Sequence, residues 1–194
     1  MSRARFSADD FLCAALAIAA ERGPSSVTVG SVTSRLKAPT GSFYHRFASR
    51  DLLLAQLRLR IVADFQRGIG AALDAGDPLR AALHIPAWAR EHLDEARLLL
   101  LYDRDDFFHG EWPEALREAI AAQTERTEAG FAAFAGLAFG RAEPDDIRRA
   151  QFLLKEVPAA AVIPHLRRRE PPPPMVDELI AITYRAVVAC YRAG

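Results

Sequence analysis

The sequence is short of cysteine and has no long uncharged apolar run, and each shortage narrows the class of protein. Its 194 residues contain two cysteines, Cys13 and Cys190, both inside apolar helical patterns, so we predict buried thiols in a reducing compartment and no disulfide framework. No uncharged run approaches the roughly 18 apolar residues of a membrane span. The polar N-terminus also lacks the apolar segment of a signal peptide. We therefore expect a cytoplasmic protein.

The sequence also lacks the patterns of common active sites. It contains no Gly-rich phosphate loop, no HExxH helix and no recognisable nucleophile–base pair. His84 and His92 are two helical turns apart, about 12 Å along a helix axis at about 1.5 Å per residue. Two nitrogens that share one zinc ion must each lie within about 2.1 Å of it, so a common site would be strained. We therefore predict no enzyme activity, no cofactor and no metal ion.

The net charge is zero, but the two signs are unevenly distributed along the chain. Residues 1–60 carry nine Lys and Arg against four Asp and Glu, a balance of +5. Residues 61–194 carry sixteen Lys and Arg against twenty-one Asp and Glu, a balance of −5. A basic head on an acidic body is typical of a module that binds a polyanion. A chance fluctuation is the alternative explanation.

Strand-type alternation is rare, and apolar residues recur at helical spacing almost throughout. This pattern predicts an all-α fold of about nine helices. Ser7 and Asp10 predict a capping box at the first helix, and Thr28 can cap the second. Pro39 stops that second helix because proline lacks an amide proton and restricts the residue before it. Ser49 then caps a long helix that reaches about residue 75.

The rest of the chain is predicted to contain five more helices. They run from 78 to about 93, from 94 to 102, from 113 to 139, from 144 to about 158 or somewhat beyond, and from 175 to 192. The stiff, charged stretch RRREPPPP at 167–174 separates the last two. We place the domain boundary inside the long helix after Ser49, which gives an N-terminal domain of residues 1–55 and a C-terminal domain of residues 56–194.

Residues 27–47, VTVGSVTSRLKAPTGSFYHRF, contain two short helices joined by a turn at Pro39, which is the helix-turn-helix pattern. Small residues at the start of the second helix let its N-terminus approach phosphate. Phe43 and Phe47, four residues apart, predict an anchor to the core. Three polar side chains are then left to face a DNA groove: Tyr44, His45 and Arg46. A helical corner in an ordinary all-α protein is the alternative.

The run TVGSVTSRLKAPTGSFYHRFASRDLLLAQL resembles the DNA-binding domain of the tetracycline-repressor (TetR) family of transcriptional regulators. The match covers residues 7–60, and the nine-helix layout extends it loosely over the rest. The resemblance implies that hydroxyls and cations of this segment contact phosphate, and that the start of the recognition helix contacts bases. The implied DNA-binding residues are Thr28, Lys37, Thr40, Gly41, Ser42, Tyr44, His45, Arg46 and Arg50.

The chain departs from the family pattern at the start of the recognition helix. Thr40 stands where family members often have Lys, and Pro39 where they often have Ser. The recognition helix therefore has one cation fewer. We expect its DNA affinity to depend on other cations: Lys37, Arg46, Arg50, and Arg3 and Arg5 of an N-terminal arm.

The final helix is apolar on more than one face, and the helix before it repeats this pattern. A deep position in a single monomer core is one explanation. The family resemblance implies instead that both helices also pack against a second copy of the chain. Two-fold symmetry would then place a second recognition helix about 34–36 Å away, one turn of DNA. The predicted dimer-interface residues are Ile147, Leu154, Val157, Leu179, Ile182 and Ala186.

The resemblance further implies a small-molecule cavity in the C-terminal domain, with an apolar and aromatic lining. Gln123 and Thr127 interrupt the apolar stripe of their helix, and inward polar side chains need partners that a ligand could provide. Each candidate could equally be a core residue. The predicted ligand-binding residues are Trp88, Tyr102, Phe107, Phe108, Trp112, Gln123, Thr127 and Phe131.

These patterns together predict a ligand-responsive repressor that binds a palindromic operator as a homodimer. A small apolar or aromatic effector would release it by shifting the population of head spacings. The alternative is a TetR-like regulator without a small-molecule ligand, controlled by a protein partner or constitutively bound. A closed, fully packed C-terminal core would favour that alternative.

Overall fold

The computed structural model describes residues 6–108 and 112–192, and its regular structure in these ranges is entirely helical. The prediction of an all-α fold is confirmed. Arg3 and Arg5 of the predicted N-terminal arm lie outside the described residues. The helices are α1 (Ala8–Arg22), α2 (Val29–Leu36), α3 (Thr40–Tyr44), α4 (Arg50–Asp74), α5 (Pro78–Ala82), α6 (His84–Glu91), α7 (Leu93–Leu101), α8 (Glu114–Phe139), α9 (Pro144–Gln151), α10 (Val157–Arg167) and α11 (Met175–Arg192).

Side chains cap the N-termini of the first, second and fourth helices, as the sequence predicts. The Ser7 hydroxyl accepts from the Asp10 amide at 3.1 Å, while the Asp10 carboxylate accepts from the Ser7 amide at 2.7 Å. The bonds that the Asp10 carboxylate accepts from the Ser7 amide and the Ser7 hydroxyl lower the pKa of Asp10. Thr28 caps α2, and Ser49 accepts from the third residue of α4. Each cap satisfies an amide that has no partner inside its helix.

The predicted helix from 78 to 93 is broken at Leu83, which separates α5 from α6. Pro86 explains the break, because it has no amide proton to donate to the carbonyl of Ala82 and its ring crowds that carbonyl. The chain therefore turns after Ala82 and begins a new helix at His84.

A π-helical turn at Phe152–Glu156 joins α9 to α10 and makes residues 144–167 one continuous helical rod. The amide of Val157 bonds to the carbonyl of Phe152, five residues earlier. Pro158 follows directly, and because it cannot donate a hydrogen bond the wider turn is tolerated there. The helix thus continues past Pro158, its approximate predicted end.

One hydrophobic cluster extends from the N-terminal helices to α11. The long helix α4 packs against both α1 and α8, while α7 packs against α1 and α10. Residues 6–55 therefore share one continuous core with the body. The largest buried side chains of these residues include Phe11, Phe43 and Phe47.

The prediction of buried thiols is wrong, because Cys13 and Cys190 are both exposed. On α1 the buried residues include Phe11 and Ala14, and Cys13 lies outside this buried stripe. On α11 the core takes Val188, and Cys190 lies on the other face. Among the described residues no helix combines the length and apolar character that membrane crossing requires.

Candidate functional site

A tight turn joins α2 to α3 and gives the N-terminal segment its helix-turn-helix geometry. Lys37 ends α2 in a left-handed conformation with φ 52°. The amide of Ala38 then bonds to the carbonyl of Thr33 at 2.9 Å. Pro39 follows in extended geometry and precedes the first residue of α3. The proline prevents α2 from continuing and sets the direction of the short helix that follows.

Two phenylalanines hold α3 against the rest of the head. Phe43 is fully buried and Phe47 is 1% exposed. Both rings meet Phe11 of α1 edge-on, with centroid distances of 5.7 Å and 6.2 Å. Such edge-to-face pairs contribute beyond the burial of their area. This anchor fixes which side of α3 faces outward.

Most of the predicted DNA-binding residues are on the surface. Tyr44 is 57% exposed, and its ring packs edge-on against Phe43. Its hydroxyl has no hydrogen-bond partner within the described part of the chain. Ser42 is half-buried. The other exposed members of the set are Thr28, Lys37, Thr40, Gly41 and His45.

Two of the predicted DNA-contacting cations direct their guanidinium groups toward the protein. Arg46 donates to the Ser42 carbonyl at 2.9 Å and lies 5.9 Å from the centre of the Phe11 ring. Arg50 donates to the carbonyls of Val27 and Pro24 and forms an ion pair with the carboxylate of Asp51. Sequence reasoning missed these contacts because their carbonyl acceptors carry no signal in the residue pattern. A phosphate contact by either arginine stays a prediction.

In the body, two predicted ligand-binding aromatics are core residues. Phe107 is fully buried beneath the guanidinium of Arg58, whose carbon lies 5.1 Å from the ring centre. Trp88 is 5% exposed, and its indole donates to Asp64 at 2.9 Å. Burial of Arg58, together with the nearby charge of Arg104, lowers its pKa to about 10. Arg58 is not among the residues predicted from the sequence, although an arginine inside the apolar run of α4 indicates a buried charge.

Gln123 and Thr127 have hydrogen-bond partners within the chain. The Gln123 side chain donates to the Leu59 carbonyl at 2.7 Å, and Gln66 donates to both the Gln123 carbonyl and the Thr127 hydroxyl. This network ties α4 to α8. The partners that the sequence analysis assigned to a ligand are therefore supplied by α4.

Two concavities are found on the described part of the body. The smaller, of about 300 Å³, lies between α1, α4 and the start of α7 and is lined by Leu12, Leu57 and Ile61 among others. The larger is an open groove of about 490 Å³ beside α8. It contains Phe108 and Trp112, whose rings meet edge-on at 6.0 Å. These two are the only predicted ligand-binding residues that line either concavity; Tyr102 and Phe131 pack against the core.

No metal site is formed by the described residues, in which no group of three His, Cys, Asp or Glu side chains converges. His84 packs against Phe65, whereas His92 stacks on Trp88 at 5.3 Å. The two imidazoles thus have separate aromatic neighbours. Asp103 and Asp106 form a capping box at the short turn Arg104–Asp106.

An exposed apolar surface runs along α11. Met175, Leu179 and Ile182 are 57%, 52% and 61% exposed, and Ala186 is exposed as well. Three of the predicted interface residues, Leu179, Ile182 and Ala186, belong to this surface. The other three lie elsewhere: Leu154 is buried within the protomer, and Ile147 and Val157 are half-buried against the core.

Residues 11–57 match the model of the family described as bacterial regulatory proteins, tetR family. No curated protein matches the sequence. Solved structures match over the whole chain. A transcriptional regulator from Rhodococcus sp. RHA1 has 18% identity and a TM-score of 0.67, covering 96% of this chain and 98% of its own.

Two further structures are similar to the same extent. A protein from Shewanella sp. PV-4, described as a tetR-family transcription regulator, has 16% identity and a TM-score of 0.64 over 97% of this chain and 98% of its own. A protein from Mesorhizobium loti, described in the same way, has 14% identity and a TM-score of 0.62, covering 100% of this chain and 98% of its own. Identities this low show the fold alone. The match of residues 11–57, on a helix-turn-helix held by buried phenylalanines, together with the shared fold, supports a DNA-binding transcriptional regulator of the tetR family.

Proposed function

We propose that this regulator is a homodimeric repressor that binds a palindromic operator and releases it when a small apolar or aromatic effector binds. The observation that carries the DNA-binding part is the outward face of α3, where Tyr44 is 57% exposed beside a fully buried Phe43. An aromatic phenol that has no partner among the described residues and is held by a buried ring is suited to a phosphate or base edge.

Lys37 supports the same proposal through its backbone. A left-handed residue at the end of a helix is usually glycine, because a side chain in this conformation costs free energy. Lysine occupies this position with φ 52° and is exposed. Strain at such a position is a reason to look for a function of the side chain. We assign Lys37 to a DNA phosphate at the turn between α2 and α3.

The exposed apolar surface of α11 supports dimerisation. Large exposed apolar side chains that adjoin one another mark interaction surfaces. Met175, Leu179 and Ile182 lie at helical spacing on one side of α11. A two-fold partner would cover this surface and provide the second recognition helix, because one short helix reads too few base pairs alone.

The open groove beside α8 supports an effector site. Phe108, Trp112 and Ile120 provide apolar and aromatic surface, and its volume of about 490 Å³ is within the range of small-molecule sites. An effector bound there would contact α8, which packs against α4, the helix that leads to the head. This arrangement favours a planar aromatic effector.

Binding of a labelled DNA duplex from the region upstream of the gene, measured by fluorescence anisotropy at increasing salt, tests the DNA-binding role. The affinity should fall steeply with salt, because each neutralised phosphate contributes about 0.9 to the logarithmic slope. Lys37→Ala removes one phosphate contact from each protomer and should lower the slope of the homodimer by about 2. Tyr44→Phe removes one hydrogen bond from each protomer and should weaken binding of the homodimer about 25-fold. A salt-independent affinity would contradict the proposal.

A regulator without a small-molecule effector is the second candidate, and one observation favours it. Gln123 and Thr127, the polar residues of α8 that were predicted to need a ligand, are satisfied by Leu59 and Gln66. Thermal unfolding in the presence of a panel of aromatic small molecules distinguishes the two. A ligand that raises the midpoint in the parent but not in a Trp112→Ala variant supports the groove; no shift from any compound favours the second candidate.

A further inference from the structure

A buried arginine joins the ends of two helices from different parts of the fold. Arg97, on α7, is 7% exposed. One of its terminal nitrogens donates to the Leu166 carbonyl near the end of α10, and the other donates to the Ala20 carbonyl near the end of α1 at 3.3 Å. Its Nε atom is buried and has no partner among the described residues.

The helix ends explain how this buried cation is stabilised without a carboxylate among the described contacts. The last four carbonyls of a helix have no partner inside it, and the aligned peptide dipoles leave partial negative charge at that end. A charge taken out of water must be compensated. Arg97 receives this compensation from α1 and α10 at once, so that the two C-termini share one cationic cap.

A second arginine also connects the end of α10 to the end of α1. Arg169 follows the end of α10 in a left-handed conformation, with φ 60°. The amide of Glu170 bonds to the His165 carbonyl and that of Arg169 bonds to the Leu166 carbonyl, the Schellman pattern of helix ends. From this fixed backbone the Arg169 side chain donates to the Glu21 carbonyl at the end of α1.

The contact continues from α1 into the helix-turn-helix. The Glu21 carboxylate pairs with Arg35 of α2 at 2.9 Å. The hydrogen bond from Arg35, with the nearby positive charges of Arg22 and Arg169, lowers the pKa of Glu21. The end of α10 thus holds the end of α1, and the same turn of α1 holds α2.

We propose that Arg97 and Arg169 are positioning residues that set the orientation of the helix-turn-helix on the body. A displacement of α10, or of α11 which follows it after a short proline-rich link, would reach α2 through the shared end of α1. Residues of the body would thereby control the direction in which Tyr44 and Lys37 point. The functional meaning rests on the DNA-binding role of the head, but the mechanical connection requires no effector.

Hydrogen exchange followed by mass spectrometry tests the connection without DNA. Arg169→Asn retains a residue that tolerates the left-handed backbone but removes the guanidinium. Amides at the end of α1 and in α2 should then exchange about tenfold faster, as expected for the loss of one charge-assisted hydrogen bond. Arg97→Gln should give a larger increase. Arg168→Asn, which removes the adjacent exposed charge, is the matched control and should leave these amides unchanged.

A distance measurement separates positioning from simple destabilisation. Spin labels at Ser34→Cys on α2 and Glu128→Cys on α8, in a chain with Cys13 and Cys190 replaced by serine, report the distance between head and body. Labelled chains are diluted with unlabelled ones so that distances within one copy dominate. Arg169→Asn should broaden or shift the distribution, and Arg169→Lys, which can still donate to one carbonyl, should restore it.

Each outcome decides the proposal. Unchanged exchange and an unchanged distance distribution in Arg169→Asn would overturn it, as would a shift of equal size in Arg168→Asn. Because Arg169 is exposed, its variants should fold even if Arg97→Gln does not. A chain that passes these tests but fails to bind DNA would contradict the proposed function and leave the connection intact.

Discussion

The guanidinium of Arg50, at the first turn of α4, donates to the carbonyl of Val27, the residue before the cap of α2, at 2.8 Å. The same group reaches the carbonyl of Pro24 at 2.9 Å. One side chain thus joins the start of α4 to the loop that leads into α2. Arg50 therefore contributes to the folding of the head, whatever it contributes to DNA binding.

Replacement of Arg50 should destabilise the protein. Arg50→Met should lower the free energy of unfolding by about 1–2 kcal/mol, because two charge-assisted hydrogen bonds are lost from a partly exposed position. Urea unfolding followed by circular dichroism measures this change. Arg60→Met removes an exposed pair with Asp9 and should cost less than about 1 kcal/mol. Equal effects of the two substitutions would contradict a structural role for Arg50.

Two glycines of α4 should respond in opposite directions to alanine. At Gly70 an added Cβ atom would meet nothing within 4 Å, so Gly70→Ala should stabilise the protein by about 0.5–1 kcal/mol through helix propensity. At Gly68 the added atom would overlap the Cε1 atom of His84. Gly68→Ala should therefore destabilise by about 1–3 kcal/mol. Thermal unfolding measures both, and Gly68→Ala with His84→Ser should recover part of the loss.

The stability of the protein should depend on pH through His84. Burial lowers the pKa of His84, opposed by a hydrogen bond to the Phe65 backbone and by the carboxylates of Asp64 and Glu91. The unfolded chain therefore binds a proton at a higher pH than the folded chain does. Stability should be fully present above the unfolded pKa of about 6.5 and should fall as the pH is lowered through that value.

Unfolding midpoints measured at several pH values test the role of His84. His84→Gln should flatten the decline between neutral and mildly acidic pH. His45→Gln, at an exposed position on the head, is the control and should retain the decline of the parent protein. If both variants decline alike, another group is responsible.

The α11 surface should control the oligomeric state. Ile182 is 61% exposed in the protomer, so Ile182→Asp should leave the fold intact while placing a charge in the proposed dimer contact. Sedimentation of this variant should give the chain mass of 21.3 kDa, and the parent is expected to give twice that value. Ala129→Asp, on the exposed outer side of α8, introduces the same charge and should sediment like the parent.

Local signals made the helices and their caps predictable from the sequence. Ser7, Thr28 and Ser49 each act on the amide three residues away, and the spacing of Phe43 and Phe47 fixes one face of a short helix. These interactions depend on neighbours in the chain, so the sequence alone reveals them.

Contacts between distant segments could not be predicted in the same way. Arg50 reaches a carbonyl 23 residues earlier, and Arg97 reaches carbonyls 69 and 77 residues away. Every residue has a backbone carbonyl, whatever its side chain. Contacts to such carbonyls therefore cannot be recognised in the residue pattern. The burial of Cys13 and Cys190 was predicted wrongly for a related reason. A small apolar residue at the edge of a helical stripe can lie on the buried or on the exposed side of the helix.

The π-helical turn at Phe152–Glu156 gives the rod from Pro144 to Arg167 one residue more than its faces require. A wide turn accommodates the surplus while Leu153 within it and Leu166 after it both remain buried. Removing the exposed Lys155 should let the rod close into an ordinary α-helix with both leucines still facing inward. Deletion of a residue between 159 and 165 would instead rotate Leu166 by about 100°. The π-helical turn is thus the place where this helix can be shortened by one residue while the Leu166 carbonyl still faces Arg97.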